Sequence, residues 1–386
     1  MKFKKTIALI LIASNFLSTN IFAEQQPNFS IDAKSALLME APSGKILFEQ
    51  NSHEKLPPAS VTKVMTILLI YDAIAQGKIK PEDMATVSEH AANMGGSQIF
   101  LEPYEQQSVY DLLKSIVIAS ANDAAVTMAE HIGTSEENFV NMMNQRAKDL
   151  GMNDTNFVNA CGLDTDNHET SAYDIALMSR ELITKYPQIF DLTKIWMDTI
   201  THKTKRGETQ FGLSNTNKLI KTYSGATGLK TGSTGKALYC ISATAQRDGM
   251  NLISVIMGAP NPATRFGEAA KLLDYGFANY QIAKGEPTGT IKGKIKIYKG
   301  EKEQIDIAVK EEVSTIIPKG NKNEIESKIN LIDSLNAPLE KGTKAGEIIY
   351  LINGKEIGKS DLVTTESIKK ATFGQIIKNL IQKWFS

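Results

Sequence analysis

Pro57-Pro58-Ala59-Ser60-Val61-Thr62-Lys63-Val64-Met65-Thr66-Ile67-Leu68-Leu69 is the stretch on which the reading of this chain turns. The two prolines stop any preceding strand, since neither can donate an N–H to a ladder. Beyond them Val61, Val64, Met65, Leu68 and Leu69 recur at helical spacing, which predicts a buried helix opening at Ser60. Residues three apart share a helix face, so the Lys63 amine can reach the Ser60 hydroxyl. A serine hydroxyl is a poor nucleophile until an adjacent base takes its proton. Lysine serves as that base only when neutral, so its ordinary pKa of about 10.4 has to fall by several units through burial and a neighbouring positive charge. A helix start also aims backbone N–H groups at a developing oxyanion.

Spacing alone does not single out this pair. Ser-x-x-Lys recurs at Ser52, Ser233 and Ser367, and Ser-x-Asn occurs at Ser18, Ser120 and Ser334. Context decides between them. Ser52 is followed by His53, Glu54, Lys55 and the two prolines, Ser233 lies in a glycine-rich turn, and Ser367 begins the terminal amphipathic segment. Downstream of Ser60 come Ser120-Ala121-Asn122 and the unique Lys230-Thr231-Gly232. If Lys230 faces the same cleft as Lys63, it supplies the neighbouring charge.

Working outward, Ala36–Met39 and Lys45–Phe48 flank Pro42-Ser43-Gly44 as strand, turn and strand. From about Val87 to Ile220 the chain reads as mostly helical, with capped helices at Ser108–Ile118, Asp123–Ile132, Ser135–Leu150 and Ser171–Thr184. Two β-like runs, Ala237–Ala245 and Leu252–Met257, are joined by Asp248-Gly249, and a helix over Pro262–Phe277 follows. Strands at both ends of a helical middle predict an α/β (α+β) domain whose sheet joins N- and C-terminal segments. Near Gly285 the composition turns to Ile, Lys and Glu, with alternation at Ile291, Ile295 and Ile297 and a hairpin signature at Asn353-Gly354. A small all-β domain is expected there.

Both ends of the chain carry membrane-related signals. Lys2, Lys4 and Lys5 precede the apolar run Ile7–Leu17 and a small residue at Ala23, the pattern of a secretory signal peptide over residues 1–23. At the other end Phe373, Ile376, Ile377, Leu380, Ile381, Trp384 and Phe385 fall on one helical face opposite Lys369, Lys370, Lys378 and Lys383. That face predicts a helix lying in a membrane interface. The expected division is therefore 1–23 leader, 24–284 catalytic domain, 285–364 β-rich domain and 365–386 anchoring helix.

Composition excludes other classes. Lys plus Arg and Asp plus Glu both number 43, which gives no basic footprint for nucleic acid. The five histidines are scattered without a metal-ligand spacing, so no metal or cofactor is expected. Cys161 and Cys240 do not make a disulfide framework, and whether they pair is open at this level.

The three motifs in this order resemble those of the penicillin-recognising serine acyltransferases, most closely the D-alanyl-D-alanine carboxypeptidases among the low-molecular-mass penicillin-binding proteins. The surrounding residues add to the resemblance: Pro58–Thr66, Gly96-Ser97-Gln98-Ile99-Phe100-Leu101, Ser120–Ala124, Gly162-Leu163-Asp164 and Gly228–Thr234. It implies a β-lactamase/transpeptidase-like catalytic domain with a mixed helical region and antiparallel sheet. It also implies removal of the terminal D-alanine from peptidoglycan stem peptides through an acyl-enzyme at Ser60, with β-lactams as covalent inhibitors, at the outer face of the cytoplasmic membrane. By resemblance Lys63 is the base and Ser120 relays a proton toward the leaving nitrogen. Asn122 holds a substrate carbonyl. Lys230, Thr231 and Ser233 bind the carboxylate, with Gly232 among the substrate-binding residues, and the N–H groups of Ser60 and Ser233 form the oxyanion hole. Some members carry histidine where this chain has Ser233, which bears on the deacylation rate. A class A β-lactamase would need a glutamate in a Glu-x-x-Leu-Asn context between Ser120 and Lys230, and none is present. A silent wall-binding scaffold would not need the complete motif set, and a Ser-His-Asp hydrolase would need a Gly-x-Ser-x-Gly elbow.

Overall fold

The computed structural model describes residues 29–205, 207–320, 325–375 and 377. The predicted leader, 1–23, lies outside them, as does the end of the predicted terminal helix, including Ile376, Lys378, Leu380, Ile381, Lys383, Trp384 and Phe385.

Strands β1 (Ser35–Glu40) and β2 (Ile46–Gln50) pair antiparallel across the Pro-Ser-Gly turn, as predicted. The chain then passes through a 3-10 turn, Ala59–Thr62, into α1 (Lys63–Ala75), whose residues Lys63 to Ala73 are all buried. A small pair, β3 (Met84–Thr86) and β4 (Gln106–Ser108), brackets α2 (Glu89–Ala92) and precedes α3 (Val109–Ile118), α4 (Asn122–Gly133), α5 (Glu136–Asp149), α6 (Ala172–Lys185) and α7 (Ile189–Thr193). Ser108, Ser135 and Ser171 each accept the N–H three residues on, which satisfies one orphan donor of the first turn and sets where the helix begins.

One element departs from the helical middle that the sequence predicts. β5 (Met197–Thr204) and β6 (Gly207–Ser214) form a hairpin. Each of its strands buries only one or two side chains, among them Ile200, His202 and Leu213, so its alternation is faint. Contacts distant in sequence hold it down: Lys114 Nζ donates to Thr199 O at 2.8 Å, Gln107 Nε2 to Thr201 O at 2.9 Å, and His202 Nδ1 meets Glu105 Oε1 at 2.8 Å.

After α8 (Leu219–Thr222), β7 (Ala226–Thr234), β8 (Leu238–Arg247) and β9 (Met250–Ala259) complete a five-stranded antiparallel sheet in the order β2-β1-β9-β8-β7. N- and C-terminal segments thus share one sheet, and β1, nested between β2 and β9, is buried along its whole length. Asp248 and Gly249 both have positive φ, 49° and 78°, as a two-residue hairpin turn requires. Helix α9 (Pro262–Asn279) starts on an Asn261 cap with proline in its first turn and packs on β8 and β9, while α6 packs on β1 and β9. This places β7, the edge strand, against the Ala59–Thr62 turn.

The remaining chain is β-structure. β10 (Tyr280–Lys284) pairs with β13 (Ser314–Pro318). β11 (Ile291–Tyr298), β12 (Gln304–Val309), β14 (Glu326–Leu331), β15 (Ser334–Asn336), β16 (Lys344–Ile352) and β17 (Lys355–Thr364) form a six-stranded sheet in the order β14-β16-β17-β12-β11-β15. Ile295, Ile297, Ile305, Ile307, Ile348, Tyr350 and Leu362 fill its core. Ile291 does not join them. The register shifts between Ile291 and Gly293, and this residue of the predicted alternation is 59% exposed. Residues 368–371 still belong to this sheet's surroundings: Ile368 is in the core, and Lys370 bridges to Gly300. Phe373–Gln375 are helical, with a capping box in which Gln375 Oε1 accepts from Thr372 N at 2.8 Å. Among the described residues no helix is long and apolar enough to cross a membrane.

Candidate active site

The turn carrying Ser60 has a geometry that the predicted α-helix would not supply. Ala59 has a left-handed φ of 50°, and the following residues wind as a 3-10 helix. At three residues per turn, positions i and i+3 eclipse. Lys63 Nζ consequently sits 3.0 Å from Ser60 Oγ. Ser60 is half-buried and open to a ligand, whereas Lys63 is fully buried at the first turn of α1.

Two further acceptors hold the Lys63 amine. Asn122 Oδ1 is 2.6 Å away and the backbone carbonyl of Cys161 is 2.7 Å away. Asn122 is itself fixed, because its Nδ2 donates to Gly95 O at 2.6 Å and its N to Ser97 O at 2.7 Å. The next residue, Asp123, is buried and accepts from the backbone N–H groups of Ile99 and Leu101, each at 3.1 Å. The Gly96–Leu101 and Ser120–Ala124 segments therefore form one stitched wall. Ser120 lies buried in that wall, two residues before Asn122, with a left-handed φ of 62°.

The edge strand β7 forms the opposite wall. A Cβ on Gly232 would lie 2.8 Å from Ser60 N and 2.9 Å from Pro58 O and Val61 N. Only glycine lets the strand lie this close to the nucleophile's backbone. Lys230 is buried, and its Nζ donates to Thr231 O at 3.1 Å. Ser233 is exposed, and Thr234 Oγ1 crosses to Asp164 Oδ1 at 2.6 Å. Thr231 is buried and its hydroxyl donates to Thr216 Oγ1 at 2.8 Å, a partner that no motif in the sequence indicates.

Burial lowers the pKa of Lys63 from the ordinary lysine value to about 8. Lys230 is held well below the ordinary lysine range by burial first, and then by repulsion from Lys63 and Arg265. The expected pairing of lysines is present: burial is the larger cause for both, and their repulsion disfavours charging both at once. Two buried cations without a carboxylate partner both favour the neutral form.

Sequence reasoning missed Arg265. From α9 its Nη1 donates to Gly232 O at 3.2 Å behind the Lys-Thr-Gly strand, and its Nε is buried without a partner. The contact spans 33 residues, so no local pattern signals it. The Cys161 carbonyl was equally invisible, being a backbone group. Cys161 and Cys240 are both buried and free. Among the described residues no group of three His, Cys, Asp or Glu side chains is arranged to hold a metal ion.

A half-buried serine within hydrogen-bond reach of a buried lysine, walled by Ser-x-Asn on one side and by a Lys-Thr-Gly edge strand on the other, is a constellation suited to serine acyl transfer. Residues 20–261 match the family described as D-alanyl-D-alanine carboxypeptidase, and residues 281–370 match the penicillin-binding protein 5 C-terminal domain. The chain belongs to the D-alanyl-D-alanine carboxypeptidase family and is a serine peptidase of that activity. It is 40% identical over 388 residues to D-alanyl-D-alanine carboxypeptidase DacF of Bacillus subtilis, covering 99% of both chains. It is 34% identical to DacC of Escherichia coli, covering 96% of this chain and 94% of that one. Penicillin-binding protein 5 of Haemophilus influenzae superposes with a TM-score of 0.71 at 33% identity, over 89% of this chain and 99% of that one. Penicillin-binding protein D2 of Listeria monocytogenes, solved in its ampicillin-bound form, matches at 32% identity and a TM-score of 0.55, over 65% of this chain and all of that one.

Proposed function

We propose that Ser60 attacks the carbonyl of the penultimate D-alanine of a stem peptide, with Lys63 as its base. The hydrogen-bond count at Lys63 carries this reading. A neutral lysine amine has two N–H groups and one lone pair. Asn122 Oδ1 and Cys161 O can only accept, so they take both N–H groups. The lone pair is left for the Ser60 hydroxyl at 3.0 Å. The tetrahedral oxyanion is received by the backbone N–H groups of Ser60 and Ser233, a role supported by the approach of Gly232 to Ser60 N.

The terminal carboxylate meets Lys230, Thr231 and Ser233, and Asn122 offers its second amide N–H to the substrate's carbonyl. A carboxylate favours the charged form of Lys230, and a charged Lys230 favours the neutral form of Lys63. Substrate binding itself thus sets the base in its working state. Ser120 relays the proton to the leaving D-alanine nitrogen, and water then hydrolyses the acyl-enzyme. The loop 158–168 presents the Cys161 carbonyl to Lys63, and no glutamate in a Glu-x-x-Leu-Asn context lies between Ser120 and Lys230 to activate a deacylating water. This favours peptidase turnover and slow release of β-lactams. Ampicillin is bound by the Listeria relative, which supports β-lactams as acylating inhibitors of this chain.

The same reading makes the protein exported, with residues 1–23 as leader and 24–284 as catalytic domain; because Ile368 and Lys370 are tied to the second sheet, the β-rich domain runs from 285 to 372, and the helix proposed to rest on the membrane surface starts at Phe373 rather than at 365.

D-alanine release from a pentapeptide and labelling by a fluorescent penicillin test the nucleophile. Ser60→Ala is expected to lose both while melting as the parent does. D-alanine release retained in that variant would overturn the assignment.

A further inference from the structure

We infer that His168 is a positioning residue for the lysine base: it closes the loop 158–168 onto the nucleophile turn and thereby aims the lone pair of Lys63 at Ser60. The inference rests on the reading of Lys63 as base given above.

His168 is buried and 106 residues from its partner Thr62, the residue between Val61 and Lys63. Its two ring nitrogens have different duties. Val158 N donates to Nδ1 at 2.9 Å, so Nδ1 is the acceptor and the ring proton sits on Nε2. Nε2 then donates to Thr62 Oγ1 at 2.8 Å. One neutral imidazole therefore joins the two ends of the loop to each other and to the turn. Protonation would put a hydrogen on Nδ1 facing another donor, and burial opposes it, holding the pKa down at about 4.

Two side chains that follow the turn also hold the loop. Thr66 Oγ1 donates to Ala160 O at 2.6 Å, and Lys63 Nζ to Cys161 O. Within the loop, Asn159 Oδ1 gathers the N–H groups of Cys161, Gly162 and Leu163 at 3.2, 2.7 and 3.2 Å. Gly162 has φ 88°, and a Cβ there would strike Ala59 O. The loop is thus pressed on the turn with no side chain between them, and the Cys161 carbonyl has one place to go. That carbonyl chooses which two directions the N–H groups of Lys63 take, and so where the lone pair points. The other titratable groups facing Lys63 are Asp123 on α4, Cys161 on the loop and Lys230 on β7, and Asp164 faces His168.

The test uses the full chain, with the acylation rate by benzylpenicillin followed against pH. His168→Ala frees the loop. Withdrawal of the loop admits water to the Lys63 amine and relieves the burial that lowers its pKa. The acid limb is therefore expected to move up by roughly half a pH unit or more. The plateau rate is expected to fall about 10- to 100-fold, because the base is no longer aligned, with KM for a D-Ala-D-Ala peptide little changed. His168→Gln, whose amide N–H can reach Thr62, is expected to recover part of the rate, and His168→Asn, which can serve only Val158, less. An acid limb that stays in place in a folded His168→Ala protein overturns the inference, as does a full-rate plateau. Failure of the parent itself to be acylated would instead sink the reading of Ser60 and Lys63.

Discussion

Ser60 and Lys63 show how a weak local pattern becomes chemistry. The lysine's three partners come from positions 60, 122 and 161, and its burial lowers its pKa to about 8. In its proposed role as base Lys63 works as the neutral amine, whose fraction grows as pH rises. Acylation of Ser60 by benzylpenicillin is therefore expected to climb from pH 7 through about 8 and level off above it. A stopped-flow or gel-labelling profile measures this, and a rate independent of pH between 7 and 9 would contradict a lysine base. At this scale the motif types were legible because acyl transfer needs them. Arg265, Thr216, His168 and the Cys161 carbonyl were not, since each acts through a contact made only by folding.

At the scale of elements the helices followed their sequence signals closely. Ser108, Ser135 and Ser171 start helices because each side chain satisfies an N–H that the helix cannot. The β5–β6 hairpin was not legible, because its stability comes from Lys114, Gln107 and Glu105 on other elements. The turn at Ser60 also differs from the expected α-helix: it winds as a 3-10 helix, closely approached by β7 and Gly162, both distant in sequence. Replacing Gly232 by alanine tests the closeness of β7 to this turn. The added Cβ would meet Ser60 N at 2.8 Å, so strand and turn must part. Penicillin acylation is expected to fall about 100-fold, with a loss of stability of about 1–3 kcal/mol. Parent-like acylation would exclude the strand from the oxyanion site.

At the scale of the whole molecule, one antiparallel sheet ties the chain's early and late segments together, and a second β-sheet follows it. Ile368 and Lys370 are anchored to that second sheet, so a truncation that tests membrane attachment should begin after Thr372. Removing residues 373–386 is expected to move the protein from the membrane fraction to the soluble fraction with D-alanine release unchanged. Continued sedimentation with membranes would refute the interfacial helix. By itself the sequence indicated the reaction class, because a serine, two lysines and an amide supply what acyl transfer needs and their motifs in that order resemble those of the penicillin-recognising serine acyltransferases. It also determined the helices whose caps and periodicity are local. Sequence context singled out Ser60-x-x-Lys63, and only the tertiary structure showed what makes it usable. A lysine becomes a base through burial and through two acceptors that occupy its protons. Both come from residues about 60 and 100 positions away, brought to Lys63 by a loop whose glycine can press against Ala59 and by a histidine that holds it there.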